Sequence, residues 1–83
     1  MAGPIKRSVQ IAGHATSISL EPVFWAALVA AAGEQGLPLS ALVARIDAAR
    51  IVAPDPANLA SAIRVWLFER ARASDGQGAL PRS

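Results

Sequence analysis

The chain has 83 residues and a mass of 8.6 kDa, which is enough for one small domain with a single hydrophobic core. Hydrophobic residues make up 53% of it, but nineteen are Ala and only four are Phe or Trp, so the side chains bury little area. With no Cys and a single His, the chain can form neither a disulfide nor a zinc finger, which stabilise many very small folds. We therefore expect a homodimer, in which a second copy supplies the missing burial, and neither a metal nor a cofactor.

The net charge of +2 is distributed unevenly along the chain. Lys6, Arg7 and His14 all precede the first acidic residue, Glu21. Because salt limits charge interactions to short distances, a basic segment without acidic residues can attract phosphate even when the net charge is small. The alternative interpretation is a solvated tail. The longest apolar helical run, Val23 to Ala32, is about half of the roughly 20 residues of a membrane span. The sequence predicts a soluble, cytoplasmic protein without membrane contact.

Apolar and polar residues alternate between residues 7 and 20, and a period of two is typical of a β-strand. Gly13 and His14 interrupt the alternation, and Gly at the first central position suits a two-residue type II′ turn. Such a turn predicts an antiparallel hairpin in which Val9 lies opposite Ile18. A slip of one residue would mix apolar with polar partners. One long ribbon strand with a kink at Gly13 is the alternative.

Three helices are predicted after the strands. The first starts at Glu21-Pro22, because Pro is tolerated in a first turn, and ends near Gly36, a residue type common just beyond a helix. The second runs from about Pro38 to about Arg50. For the third, Asp55-Pro56 supplies an acidic N-cap followed by Pro, and the helix should end near Arg72.

The third helix contains four consecutive bulky apolar residues, Val65 to Phe68, which cover every direction around a helix. One flank must therefore be buried against something other than its own small domain, which indicates a partner chain. Residues 73–83 are polar and Gly-rich, so we expect a disordered tail. The predicted organisation is a flexible N-terminus at residues 1–5, a domain at residues 6–72, and that tail.

Catalytic residues are not expected anywhere in the chain. The sequence contains neither the nucleophile-elbow spacing nor the P-loop spacing, and it offers one His and no Cys. His14 is interpreted as a solvated turn residue. The sequence therefore predicts a protein that is not an enzyme.

The order of motifs resembles a known family. Residues 16–47 are similar to the Arc/MetJ/CopG-like ribbon-helix-helix pattern of a strand, a helix, a Gly turn and a second helix. The longer stretch from Lys6 to Arg64 resembles short bacterial ribbon-helix-helix proteins, which share the Ala-Gly-His turn and the Asn-Leu-x-Ser-Ala-x-Arg start of a third helix. The resemblance implies a mostly α fold with an N-terminal β-ribbon, an added third helix and an intertwined dimer.

In that family, the resemblance implies, two chains pair strand to strand and the outer face of the ribbon enters the DNA major groove. A two-stranded ribbon fits this groove, and alternate side chains can reach the base edges. Ile18 and Leu20 would then face inward. The implied base-facing residues are Ser17, Ser19, Gln10 and Ala15, where Gln10 belongs to the hairpin interpretation.

The family's second DNA contact is the start of the second helix, whose free N–H groups bind a phosphate. Leu39 and Ser40 supply these groups here, and Pro38 stands where the pattern usually has a capping Ser or Thr. Lys6 and Arg7, just ahead of the ribbon, are the other implied phosphate contacts. The expected dimer core consists of Ile18, Leu20, Phe24, Leu28, Leu42, Val43, Ile46 and Trp66.

These features predict a bacterial DNA-binding protein that regulates transcription as a homodimer on double-stranded DNA. The alternative is a dimerising interaction module, or an antitoxin-like binder of a protein partner, without affinity for DNA. Serine hydroxyls carry little sequence information, and Ala15 is small where DNA-binding relatives often have a basic residue. Both interpretations therefore stay open at the level of sequence.

Overall fold

The computed structural model describes residues 3–52 and 58–79, with residues 75–79 described by their backbone alone. Two strands, β1 (Ile5–Ile11) and β2 (His14–Leu20), precede three helices, α1 (Pro22–Glu34), α2 (Leu39–Ile51) and α3 (Leu59–Ala79). The strands form one antiparallel two-stranded sheet. The predicted hairpin and the three predicted helices are confirmed, and the single long ribbon strand is not formed.

The turn between the strands lies one residue earlier than predicted. Ala12 and Gly13 occupy its two central positions with φ angles of 51° and 84°. Positive φ at both positions defines a type I′ turn, whose twist matches that of the flanking strands. The predicted type II′ turn at Gly13 and His14 is therefore wrong, and Val9 lies opposite Thr16. Because the register differs from the predicted one by two residues, every side chain keeps its predicted face of the sheet.

Helix α1 begins and ends where the sequence predicts. Glu21 is its N-cap residue and Pro22 lies in its first turn. At the other end, Gly36 has a φ of 67°, and the Leu37 N–H donates to the carbonyl oxygen of Ala32 at 2.9 Å. This bond closes a Schellman-type end, and α2 follows at an angle of 101° to α1. No described helix by itself is long and apolar enough to cross a membrane, although α1 and α2 pass that test when taken together.

Helix α3 differs from the prediction at both ends. Asn58 precedes it, and the Asn58 Oδ1 accepts a hydrogen bond from the Ser61 N–H at 2.8 Å, which is an N-cap contact. The predicted cap at Asp55-Pro56 lies outside the described residues. The helix continues to Ala79, so the predicted end near Arg72 is wrong. Residues 80–83 of the predicted tail also lie outside the described part, and the domain boundaries stay a prediction.

The core lies between the inner face of the hairpin and the helices. Helix α2 packs over β1, α3 packs over β2, and α1 packs against both helices. Six of the eight predicted core residues are buried, namely Ile18, Leu20, Leu28, Leu42, Val43 and Ile46. The other two, Phe24 and Trp66, are half-buried against this core, while Trp25, Ile63 and Leu67 are additional buried members. One chain thus closes a core with its own five elements.

Candidate nucleic-acid interface

The outer face of the hairpin, which points away from the helices, is polar and free of acidic residues. Alternate residues of both strands form it, in directly opposite pairs, because the register places residue 6 opposite residue 19, 8 opposite 17 and 10 opposite 15. Five of the six side chains are exposed and Ser19 is half-buried. The members of this outer face are Lys6, Ser8, Gln10, Ala15, Ser17 and Ser19. The four predicted base-facing residues therefore share one surface with Lys6.

The shape and chemistry of the outer face match a DNA groove. Two strands lie about 4.8 Å apart, and a pair of them fits the major groove, which is about 12 Å wide. Five of the six side chains are uncharged, and most are small, so the sheet can approach the base edges closely. Gln10 has an amide that can donate to and accept from adenine, and the Ala15 methyl can contact the thymine methyl.

Lys6 and Arg7 are adjacent in the sequence but lie on opposite faces of the sheet. Arg7 faces the helices, with its guanidinium carbon 5.3 Å from the centre of the Trp25 ring, a cation–π distance. The Trp25 side chain is 3% exposed, and its indole N–H donates to the Ile5 carbonyl oxygen at 2.9 Å. Only Lys6 therefore shares the outer face. The predicted contact of Arg7 with phosphate stays a prediction, and it requires DNA to approach past the sheet edge.

The start of α2 offers two free backbone donors. Pro38 is the N-cap residue and makes no side-chain capping bond. Its carbonyl oxygen accepts the N–H groups of Ala41 at 3.0 Å and Leu42 at 3.2 Å. Within the described ranges, no partner engages the N–H groups of Leu39 and Ser40. These two N–H groups and the positive end of the helix dipole could bind the phosphate that the sequence predicts at this position.

Two ion pairs fix α3 to the rest of the chain. The Arg64 Nε donates to the Glu21 Oε1 at 2.9 Å, and the Arg64 guanidinium lies 5.7 Å from the Phe24 ring. Arg70 pairs with Glu34. A backbone hydrogen bond at Glu21 and the Arg64 guanidinium hold the pKa of the Glu21 carboxyl below its usual value. The partners are 43 and 36 residues apart, so no local sequence pattern reveals these pairs.

An open apolar groove runs between α1 and α3. Val23 of α1 is 67% exposed, and Val65 and Phe68 of α3 are 55% and 65% exposed. Phe24 and Arg64 also line the groove, which has a volume of about 500 Å³. This groove contains the flank of the third helix that the sequence predicts to need a further neighbour.

Trp25, which is buried and bonded to β1, is not singled out by any of the sequence patterns described above. A signal was available, since the indole N–H of a buried Trp nearly always needs an acceptor. Among the residues described, no group of three or more His, Cys, Asp or Glu side chains could hold a metal ion. The chemistry of the site therefore lies in its hydroxyl, amide and ammonium groups and in free backbone N–H groups.

A β-strand, a helix, a glycine turn and a second helix, with polar residues alternating along the outer strand face, define a ribbon-helix-helix fold. The model of the ribbon-helix-helix domain family matches residues 4–71, and the chain belongs to this family. Proteins of this family are typically dimeric DNA binders, and the fold is not an enzyme fold.

The chain is also similar to a solved structure, that of an uncharacterized protein from Bordetella pertussis Tohama I. The two share 29% sequence identity with a TM-score of 0.70, over 96% of the present chain. The present chain spans 64% of the length of that protein's chain. None of the curated proteins matches the chain significantly. The similarity supports the fold, including the added third helix.

Proposed function

We propose that the protein is a bacterial transcriptional regulator that binds double-stranded DNA as a homodimer, with the outer face of its strands in the major groove. The acid-free outer face is the observation that carries this proposal. Ser17 and Ser19 would contact base edges or nearby phosphates, Gln10 would contact adenine, and Ala15 would contact a thymine methyl. A protein with this activity would act in the cytoplasm, where bacterial DNA is accessible.

Phosphate contacts would hold this face in its register on the duplex. Lys6 supplies the ammonium group of the outer face, and the free N–H groups of Leu39 and Ser40 supply a helix N-terminus. Arg7 would contact a further phosphate from the edge of the sheet. Such contacts release counterions, so the affinity for DNA falls steeply as the salt concentration rises.

The need for burial supports a homodimer. The radius of gyration is 13.8 Å, whereas a compact domain of this length has one of about 12 Å. Helix α1 has no charged residue between Pro22 and Gly33, and a helix that is apolar on all sides is normally buried. A second copy of the chain would cover apolar surface that one copy leaves open.

The test is a fluorescence-anisotropy titration of the full chain against a labelled random-sequence duplex at several salt concentrations. We expect micromolar affinity that falls steeply with salt. Lys6→Ala removes one cation from each chain of the dimer, so the slope of log affinity against log salt should decrease by about 2. The matched control is Arg72→Ala, an exposed cation of α3, which should leave the slope unchanged. Absence of salt-dependent binding at micromolar protein would refute the proposal.

The second candidate function is an interaction module that binds a protein partner and no DNA. The open groove between α1 and α3 favours it, because exposed Val and Phe side chains that line a groove are typical of docking sites. Phe68→Ser should then abolish binding of the partner, whereas Lys6→Ala should have no effect. If the protein is a regulator, Lys6→Ala should weaken its binding to DNA and Phe68→Ser should leave that binding unchanged. The same two variants therefore distinguish the two functions.

A further inference from the structure

In the described part of the chain, three arginines lie against aromatic rings, and two of them also pair with a carboxylate. The Arg64 guanidinium lies 5.7 Å from an aromatic ring and donates to the Glu21 carboxylate at 2.9 Å. The Arg70 guanidinium lies 5.9 Å from an indole ring and pairs with Glu34. In each case the cation interacts with a ring, and its N–H groups donate to a carboxylate.

Arg7 is the third of these arginines, and it has a ring but no carboxylate. Its guanidinium carbon is 5.3 Å from the centre of the Trp25 ring, the shortest of the three distances. The Trp25 side chain is buried and bonded to the Ile5 carbonyl oxygen, so it is a fixed surface for the guanidinium. Over residues 3–52 and 58–74, whose side chains the structure describes, no carboxylate pairs with Arg7. Its N–H groups are therefore available to an anion from outside these residues.

An apolar cleft, which we call the Arg7 cleft, lies between β1 and α1 beside this guanidinium. Its volume of about 440 Å³ is within the range of small-molecule sites. Arg7 is the only charged residue among the described residues that line the cleft. Of the others, Ile5 and Val29 are large apolar side chains that are exposed to solvent. The apolar residues that line the cleft are Ile5, Pro22, Trp25, Ala26, Val29 and Ala30.

We propose that the Arg7 cleft binds a small organic carboxylate with an apolar body, whose carboxylate pairs with Arg7 and whose hydrocarbon lies along α1. A carboxylate is the group that pairs with Arg64 and Arg70, and its two oxygens match two N–H groups of a guanidinium. The hydrocarbon covers apolar surface that is otherwise in contact with water, and the burial of such surface is favourable. Ala26 and Ala30 are small, so the ligand can approach the helix closely. The site lies within one chain and does not depend on the binding of DNA.

Octanoate is the test ligand, and 1-octanol and acetate are its matched controls, because each of them lacks one half of the proposed ligand. A ¹H–¹⁵N NMR titration of the full chain should shift the Trp25 indole signal and the backbone amides of Val29 and Ala30. We expect a dissociation constant between about 0.1 and 5 mM, in line with the roughly ten non-hydrogen atoms of octanoate. Both controls should bind at least about tenfold more weakly, since each loses either the charged pair or the apolar contact.

Three outcomes of this titration would overturn the proposal. Shifts confined to the amides of Val65 and Phe68 would place octanoate in the groove between α1 and α3. Equal binding of 1-octanol would show that Arg7 forms no charged pair with the ligand. An absence of saturable shifts below about 10 mM octanoate would mean that the Arg7 cleft is closed to small ligands, for instance by a second copy of the chain.

Two sets of matched variants test the contacts of the ligand. Arg7→Gln should weaken octanoate binding at least about tenfold and Arg7→Lys should weaken it less, whereas Arg70→Gln should leave it unchanged because Arg70 already has a carboxylate. Val29→Ser should weaken octanoate binding about threefold. Val23→Ser should not weaken it, because Val23 is an exposed Val of α1 that lines the other groove. Equal effects of Arg7→Gln and Arg70→Gln, or of the two Val variants, would contradict the proposal.

A bound carboxylate should also weaken DNA binding, because one guanidinium cannot pair with the ligand and with a DNA phosphate at the same time. This step rests on the proposed function. In the anisotropy titration, saturating octanoate should lower the affinity for the duplex about fivefold relative to acetate at the same concentration, and it should have no effect on Arg7→Gln. Equal affinities in octanoate and acetate would refute the competition. If the protein binds no duplex, the proposed function fails, while the NMR titration still decides the ligand site.

Discussion

Trp25 connects the first strand to the first helix, and replacing it tests how much of the fold depends on that connection. Trp25→Phe keeps an aromatic ring but removes the indole N–H that donates to the Ile5 carbonyl oxygen at 2.9 Å. It also shrinks a side chain that is only 3% exposed, and it weakens the ring on which the Arg7 guanidinium lies. We expect the hairpin to be held less firmly on α1.

The magnitude follows from these three losses. A hydrogen bond of this kind contributes about 1 kcal/mol, and the cavity left by the smaller ring costs about another 1 kcal/mol. The weaker cation–π contact adds less than about 0.5 kcal/mol. The free energy of unfolding should therefore fall by about 2 kcal/mol, which corresponds to a melting temperature about 10 °C lower for a domain of this size.

Urea unfolding followed by far-UV circular dichroism measures this loss. All measurements use one fixed protein concentration, because the stability of the proposed dimer would depend on concentration. The matched control is Trp66→Phe. Trp66 is half-buried, with Arg70 at 5.9 Å from its ring, and its indole N–H makes no hydrogen bond within the described residues. The control should lose less than about 1 kcal/mol. Equal losses in the two variants would refute the role assigned to the Trp25 hydrogen bond.

Three further changes test local features of the fold. Ala12→Asn should stabilise the protein by about 0.5 to 1 kcal/mol in urea unfolding, because Asn tolerates the positive φ of 51° better than Ala; a loss of stability would contradict the type I′ turn. Gly36→Ala should destabilise by about 1 kcal/mol because its φ is 67°, whereas Gly33→Ala, inside α1 with open space around it, should stabilise by a similar amount; changes of the same sign would contradict this explanation. The lowered pKa of Glu21 stabilises the fold above the unfolded-state pKa of about 4.3, and this contribution is lost as the pH falls through the lowered pKa. Thermal melts between neutral and acidic pH should therefore show that Glu21→Gln loses less stability on acidification than the unmodified protein. An unchanged profile would mean that neither the backbone hydrogen bond at Glu21 nor the contact with Arg64 stabilises the Glu21 carboxylate.

Much of the candidate site could be predicted from the alternation of residue types. The side chains of a strand alternate between two faces. Gln10 and Ser17 therefore share one face, as predicted, although the turn lies one residue earlier than predicted. The turn itself could not be decided, because Gly13 fits either the first position of a type II′ turn or the second of a type I′ turn. Side-chain pairing favoured the wrong choice, since the observed register places Arg7 opposite Ile18.

The sequence by itself determined the features whose signals are local: the two faces of the strands, the start of α1 at Pro22 and its end just before Gly36. Only the tertiary structure decided the contacts between distant segments, including the Trp25 bond to β1 and the Arg64 pair with Glu21. It also separated Lys6, on the outer face, from Arg7, which lies on Trp25. The physical reason is that a periodic pattern reports which side of an element is apolar, whereas the neighbour of each side is selected by packing among elements that are far apart in the chain.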